Sequence, residues 1–151
     1  MSDDDGLTWH HRRITDQLKL DSHGKDRRIG GLFAAAGNGI QVHTGPYRGR
    51  LVQQFVLLVD GIIGAASALS DDHGDTSRLG DIIQPSPGEP RPNENKTVCL
   101  SDGRLLLHSR ATPRRLAAAH SRSGQSWSPL TAVEDLPDPS DNGSPLSVRL
   151  V

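Results

Sequence analysis

Apolar positions in this chain come in short runs, and each run stops at a cluster of Gly, Pro, Asp or Ser. Ile40 to His43 is one such run. Thr44-Gly45-Pro46-Tyr47-Arg48-Gly49 follows, then Arg50 to Val59, then Asp60-Gly61, then Ile63 to Ser70. Aliphatic and β-branched runs divided by turn residues read as strands joined by hairpins. A second cycle opens beyond the Pro-rich connection Gln84 to Pro92. It consists of Lys96 to Leu100, a tight turn at Ser101-Asp102-Gly103, Arg104 to Arg110, and Leu116 to Ser121. Gly49-Arg50-Leu51-Val52 in the first cycle matches Gly103-Arg104-Leu105-Leu106 in the second, an internal repeat of about 50 residues. The longest apolar stretch, Phe55-Val56-Leu57-Leu58-Val59, has the length of a strand and falls far short of a membrane span.

Antiparallel hairpins repeating at that period predict an all-β fold built of propeller blades, each a sheet too small to bury its own faces. A β-sandwich is the rival architecture, but it would not require the same turn motif at the same place in every cycle. Such a motif is present. Ser2-Asp3-Asp4-Asp5-Gly6-Leu7-Thr8-Trp9 returns as Ser70 to Ser77 and again as His120 to Trp127. In Ser-x-Asp-x-Gly-x-Thr-Trp the Ser and Asp oxygens can accept bonds from the turn's own backbone N–H groups. The Gly supplies positive φ, and the Trp is left to pack under the hairpin. The motif is thus a fastener for a turn. Asp3, Asp4 and Asp5 resemble a metal loop, but the oxygen spacing and terminal Glu of an EF-hand are missing.

Composition narrows the remaining choices. A chain of 151 residues suits one ordinary domain, read here as residues 1–151. A net charge of −1 offers no broad electrostatic footprint for nucleic acid or an acidic membrane surface. One cysteine, Cys99, excludes an intramolecular disulfide framework and a multi-thiolate metal site. Strand alternation makes Cys99 a small buried or half-buried residue. Seven histidines are scattered without ligand spacing, and the adjacent pair His10-His11 reads as solvated loop. No metal and no cofactor are expected. The opening Met1-Ser2-Asp3-Asp4-Asp5 lacks the basic start and apolar run of a signal peptide, and the compartment is not legible.

The turn motif resembles the Asp-box of the bacterial sialidase (neuraminidase) family, and other segments resemble that family more specifically. Gly37-Asn38-Gly39-Ile40-Gln41 is similar to its Gly-x-Gly-Ile-Gln segment and is followed by Gly49-Arg50-Leu51-Val52-Gln53-Gln54. Asn93-Glu94-Asn95-Lys96-Thr97-Val98, with Asp102-Gly103-Arg104 and Ser109-Arg110, resembles the family's Glu-bearing strand, hairpin and Arg-bearing return. Leu136-Pro137-Asp138-Pro139 extends the likeness. The resemblance implies a six-bladed propeller that releases terminal sialic acid from glycans by retaining hydrolysis. It implies a tyrosine nucleophile with Glu94 as its base, and Arg110 as one of three arginines that grip the substrate carboxylate. Family members are often secreted or cell-associated.

Read without the family, Glu94 is a solvated loop carboxylate and Arg110 a surface strand charge. Their placement argues otherwise, because the chain reverses at Ser101 to Gly103 and returns both to one end of a hairpin. The departures from the family pattern are as informative. Its other arginines, its acid and its nucleophilic tyrosine have no matching segments, and Tyr47, the only tyrosine, sits in a Gly-Pro turn that does not match the nucleophile's motif. Cys99 stands where the family usually has Glu, Ser77 where the second box should have Trp, and Arg122 where the third should have Asp. The expectation is therefore a partial propeller of about three blades, a single domain incomplete at both ends. It would bind a sialylated glycan, be inactive alone, and self-associate or take its missing blades from a partner chain. The competing function is a noncatalytic Asp-box module that binds glycans or a partner.

Overall fold

The computed structural model describes residues 2, 4–20, 29–112 and 115–137. Asp3, Asp138 and Pro139 of the segments singled out above lie outside the described residues. One short helix, α1 (Thr15–Leu20), precedes the strands β1 (Ile29–Ala34), β2 (Ile40–Gln41), β3 (Leu51–Val59), β4 (Ile62–Ser70) and β5 (Arg78–Leu79). The series continues with β6 (Arg91–Cys99), β7 (Leu105–Thr112), β8 (Arg115–Ser121) and β9 (Thr131–Pro137). The fold is all-β, as the pattern predicts.

The strands form two antiparallel sheets that repeat one plan. The first runs β1-β3-β4-β5, with β2 paired to β3, and the second runs β6-β7-β8-β9. The repeated Gly-Arg-Leu segments lead into β3 and β7, the second strand of each path, so the sequence repeat is the repeat of the sheets. Each third strand, β4 or β8, ends in a turn motif, and Ser2 to Trp9 supplies a third such corner. Two blade-like sheets and the corner of another accord with a partial propeller.

Asp60 and Gly61 both take positive φ, 50° and 81°. That is the hairpin geometry whose twist matches the flanking strands, and it fixes the register of β3 on β4 from Leu51↔Ser70 to Val59↔Ile62. Four elements fall outside the sequence expectation. The helix α1 has no counterpart among the runs read from the sequence, β1 lies where Gly30 and Gly31 interrupt the apolar alternation, β5 is only two residues long, and β9 follows the third turn motif. The Pro-rich connection also ends earlier than expected, since β6 begins at Arg91 and includes Pro92. Proline is tolerated there because β6 is an edge strand and the register shifts immediately after it.

The sheets meet through aliphatic side chains. Val42, Val52 and Leu69 of the first pack with Cys99 and Leu105 of the second, and Trp127 closes the cluster. Cys99 is buried, as alternation requires. Beside this apolar contact lies a polar one: buried Gln54 donates from Nε2 to Ser67 Oγ at 3.0 Å and Thr97 Oγ1 at 2.6 Å, and Trp127 Nε1 donates to Ser67 Oγ at 3.1 Å. On the far face of the first sheet, Leu18 of α1 packs on Phe55 and Ala68. Among the described residues no helix is long and apolar enough to cross a membrane.

Candidate functional site

The turn motifs are structural, and their carboxylates are already engaged. Ser2 Oγ accepts the Gly6 N–H at 2.8 Å, while Asp4 accepts the Thr8 N–H at 2.8 Å and the Thr8 hydroxyl at 2.7 Å. The same set returns at Ser70, Asp72 and Thr76, with Gly74 N–H to Ser70 Oγ at 2.8 Å and the Thr76 hydroxyl to Asp72 at 2.6 Å. The Thr76 hydroxyl, then its N–H and the Ser70 hydroxyl, hold the Asp72 carboxyl down at about 2. Bonds from Thr8 lower Asp4 in the same way. Among the described residues no three His, Cys, Asp or Glu gather as a metal site.

The worn positions have local compensations. At the third corner Arg122 is exposed, and the turn is fastened instead by Ser121 Oγ, which accepts the Gly124 N–H at 2.8 Å, and by Ser123 Oγ, which accepts the Gln125 N–H at 3.1 Å. In the first corner Trp9 Nε1 donates to Gly6 O at 2.9 Å, leaving the indole 63% exposed and not buried beneath a hairpin. Ser77 cannot repeat that bond at the second corner, and there Arg12 donates to the equivalent carbonyl, Gly74 O. A cavity of about 570 Å³ lies beside Ser77, bounded by Ile14, Leu51, Phe55, Ala68 and Gly74.

Arg50 joins the second and third corners. Only 7% exposed, it holds Asp71 with two bonds of 2.6 and 2.8 Å, donates to Ser123 O at 2.8 Å, and lies under the Tyr47 ring at 4.3 Å. These bonds keep the Asp71 carboxyl below its ordinary range. Tyr47 is thus committed to the corner end of the sheets.

Glu94 and Arg110 occupy the opposite end. Asn95 pairs with Ser109 and Pro92 with Ala111, so Asn93 and Glu94 together face Arg110 alone. This is a β-bulge, which bends the strand and re-aims its side chain. It carries the Glu94 carboxylate to the Arg110 guanidinium, Oε2 to Nε 3.4 Å, with both side chains about one-third exposed at 32% and 29%. The hairpin therefore does unite the two residues. Sequence reading did not single out what surrounds them. Asn95 is 1% exposed and donates from Nδ2 to Asn93 O at 2.7 Å and, across to the first sheet, to Phe55 O at 3.4 Å. Ser109 Oγ, fully buried, accepts the Asn93 N–H at 3.2 Å. Their signal was polar residues at inward positions of an alternating strand, Asn95 and Thr97 on β6 against Ser109 on β7.

The chain is similar to proteins of known kind. It is 44% identical over 147 residues, 95% of its length, to a sialidase of Micromonospora viridifaciens, and covers 21% of that protein. No family model matches it. Among solved structures it superposes on the intramolecular trans-sialidase of Ruminococcus gnavus, in complex with oseltamivir carboxylate, with a TM-score of 0.72 at 24% identity. That match covers 90% of this chain and 26% of the other. The leech intramolecular trans-sialidase gives 0.70 at 24%, over 88% and 18%. A Hadza microbial sialidase gives 0.66 at 25%, over 91% and 24%. The chain thus spans between 18% and 26% of these relatives' own lengths.

Proposed function

We propose, from the premise that this chain is a sialidase-type segment of partial-propeller fold, that it supplies part of the site of an exo-α-sialidase within one propeller domain. The observation that carries the reading is the Glu94–Arg110 pair, 3.4 Å apart and partly exposed at the end of the second sheet remote from the turn motifs. The substrate is a sialylated glycan, whose terminal sugar bears a carboxylate on its anomeric carbon. A carboxylate nucleophile would approach that carbon against like charge, whereas a neutral phenol would not. A phenol is a weak nucleophile at its free pKa and needs a base within reach. Glu94 is that base: it takes the phenolic proton as the oxygen attacks, and returns it when water displaces the sugar.

Arg110 has two tasks in this reading. Its planar fork binds the substrate carboxylate through paired charge-assisted bonds. Its charge also offsets Glu94, so an anionic substrate does not meet an uncompensated carboxylate. The nucleophile and the acid are not matched by any segment of these 151 residues, and the reading assigns them to other parts of the propeller, on the same or a partner chain. The chain alone is therefore expected to turn over no sialoside, and its unpaired blades to self-associate.

The test is to graft residues 1–151 into a complete homologous propeller and follow hydrolysis of a fluorogenic sialoside. An active graft that loses activity with Glu94→Gln supports the reading. A graft that binds sialosides, turns none over and ignores changes at Glu94 and Arg110 supports a noncatalytic glycan-binding module instead.

A further inference from the structure

The bulge that displays Glu94 is not held by the strand ladder. Inserting Asn93 and Glu94 opposite Arg110 takes the Asn93 backbone out of regular pairing, and its N–H and C=O then need other partners. Both groups are met by side chains. Ser109 Oγ accepts the N–H at 3.2 Å, and Asn95 Nδ2 donates to the C=O at 2.7 Å. Ser109 itself donates to Arg110 O at 2.9 Å, so the same hydroxyl touches the backbone on both sides of the Glu94–Arg110 pair. Asn95 reaches further, to Phe55 O on β3 of the first sheet. Neither side chain meets solvent, at 1% and 0% exposed.

We infer that Asn95 and Ser109 are positioning residues, which fix the bulge so that the Glu94 carboxylate and the Arg110 guanidinium stand at their working separation. The inference rests on the reading of that pair as part of a sialic-acid site. The physical reason is economy of motion. A carboxylate on an unrestrained bulge samples several rotamers and backbone positions, and misplacement by about 1 Å can cost on the order of a hundredfold in a catalytic site. The bond from Asn95 to Phe55 O also ties the bulge to the neighbouring sheet, so the site is referenced to two blades and not to one hairpin. Core packing alone does not explain an amide at position 95, since a buried Asn whose Oδ1 has no partner among the described residues is costly against a hydrophobic residue of similar size.

The test uses the active graft of residues 1–151 in a complete homologous propeller, and two readouts. The first is the nuclear Overhauser contact between the Arg110 Nε proton and the Glu94 side chain. The second is the affinity for N-acetylneuraminic acid, followed by chemical-shift titration, in Asn95→Ala, Arg110→Ala and the double variant. Loss of the contact in a folded Asn95→Ala graft, with affinity down at least about tenfold and no further loss when the change is added to Arg110→Ala, is the expected result. A folded Asn95→Ala graft that keeps the contact and binds within about twofold of the parent overturns the inference. If Arg110→Ala binds as well as the parent, the sialic-acid reading fails, and the Overhauser contact alone still decides whether Asn95 positions the pair. Should Asn95→Ala not fold, Ser109→Ala removes a single hydroxyl and is judged by the same contact.

Discussion

Replacing Arg50 by Met should separate a buried ion pair from an exposed one of identical length. Arg50 and Arg104 each hold an aspartate at 2.6 Å, Asp71 and Asp102 respectively. The arginine side chains differ in exposure, 8% against 53%, whereas their aspartates are alike at 53% and 50%. Because Asp71 is half in water, its pairing alone contributes at most about 1 kcal/mol. The bond to Ser123 O is charge-assisted and shielded, and contributes about 1.5–3 kcal/mol. The Tyr47 ring adds about 0.5–1 kcal/mol. Arg50→Met should therefore cost about 2–5 kcal/mol, a large part of a stability that ordinarily totals about 5–15 kcal/mol. Arg50→Lys keeps the charge but cannot span Asp71 and Ser123 with one ammonium, and should cost about 1–3 kcal/mol. Arg104→Met should cost less than about 1 kcal/mol. The assay is urea unfolding followed by circular dichroism at neutral pH, comparing midpoints at unchanged slope. If Arg50→Met and Arg104→Met agree within about 0.5 kcal/mol, burial does not distinguish the two pairs, and Arg50 is not the clasp between the corners.

In an active graft, Glu94→Gln should depress kcat with little change in KM, and Arg110→Lys should weaken substrate binding in ground and transition states by about 1.5–3 kcal/mol, or about 10- to 150-fold; steady-state kinetics within about twofold of the parent for both would return these residues to the surface. The Asp72 carboxyl is lowered from 3.8 to about 2 in the fold, so its contribution to stability is complete above about 3.8 and is lost as pH falls towards about 2. Asp72→Asn should flatten that acid limb in a pH series of melting temperatures, and an unchanged limb would contradict the hydrogen-bond assignment. A Cβ at Gly80 would stand 2.9 Å from the carbonyl oxygens of both Gly124 and Gln125. These are backbone atoms, so Gly80→Ala should push the third corner away at a cost of about 1–3 kcal/mol and change Trp127 fluorescence. An unaltered melt and spectrum would show that the corner yields freely.

Much of the architecture was legible because it depends on local chemistry. The Asp60-Gly61 turn, the Gly-Arg-Leu repeat and the Ser-x-Asp-x-Gly-x-Thr motif each specify backbone conformation within a few residues, and each appears where the sequence places it. The strand β1 was illegible because two glycines remove the alternation that marks a strand; it exists because its backbone pairs with β3 from Ala34↔Phe55 to Ile29↔Val59. Glu94 and Arg110 could be paired from sequence, since a hairpin turn alone brings their positions to one end. The extra residue that aims Glu94, and the buried Asn95 and Ser109 that hold it, could not, because a bulge is set by register between strands. Arg50 makes the same point on a larger scale. As one Arg in a repeated Gly-Arg-Leu it is indistinguishable from Arg104, and only the packing of one sheet on the other buries it between Asp71 and the Ser123 carbonyl. Local hydrogen-bonding chemistry determines where this chain turns; which side chains lose water, and so become costly to leave unpaired, is decided only when the two sheets meet.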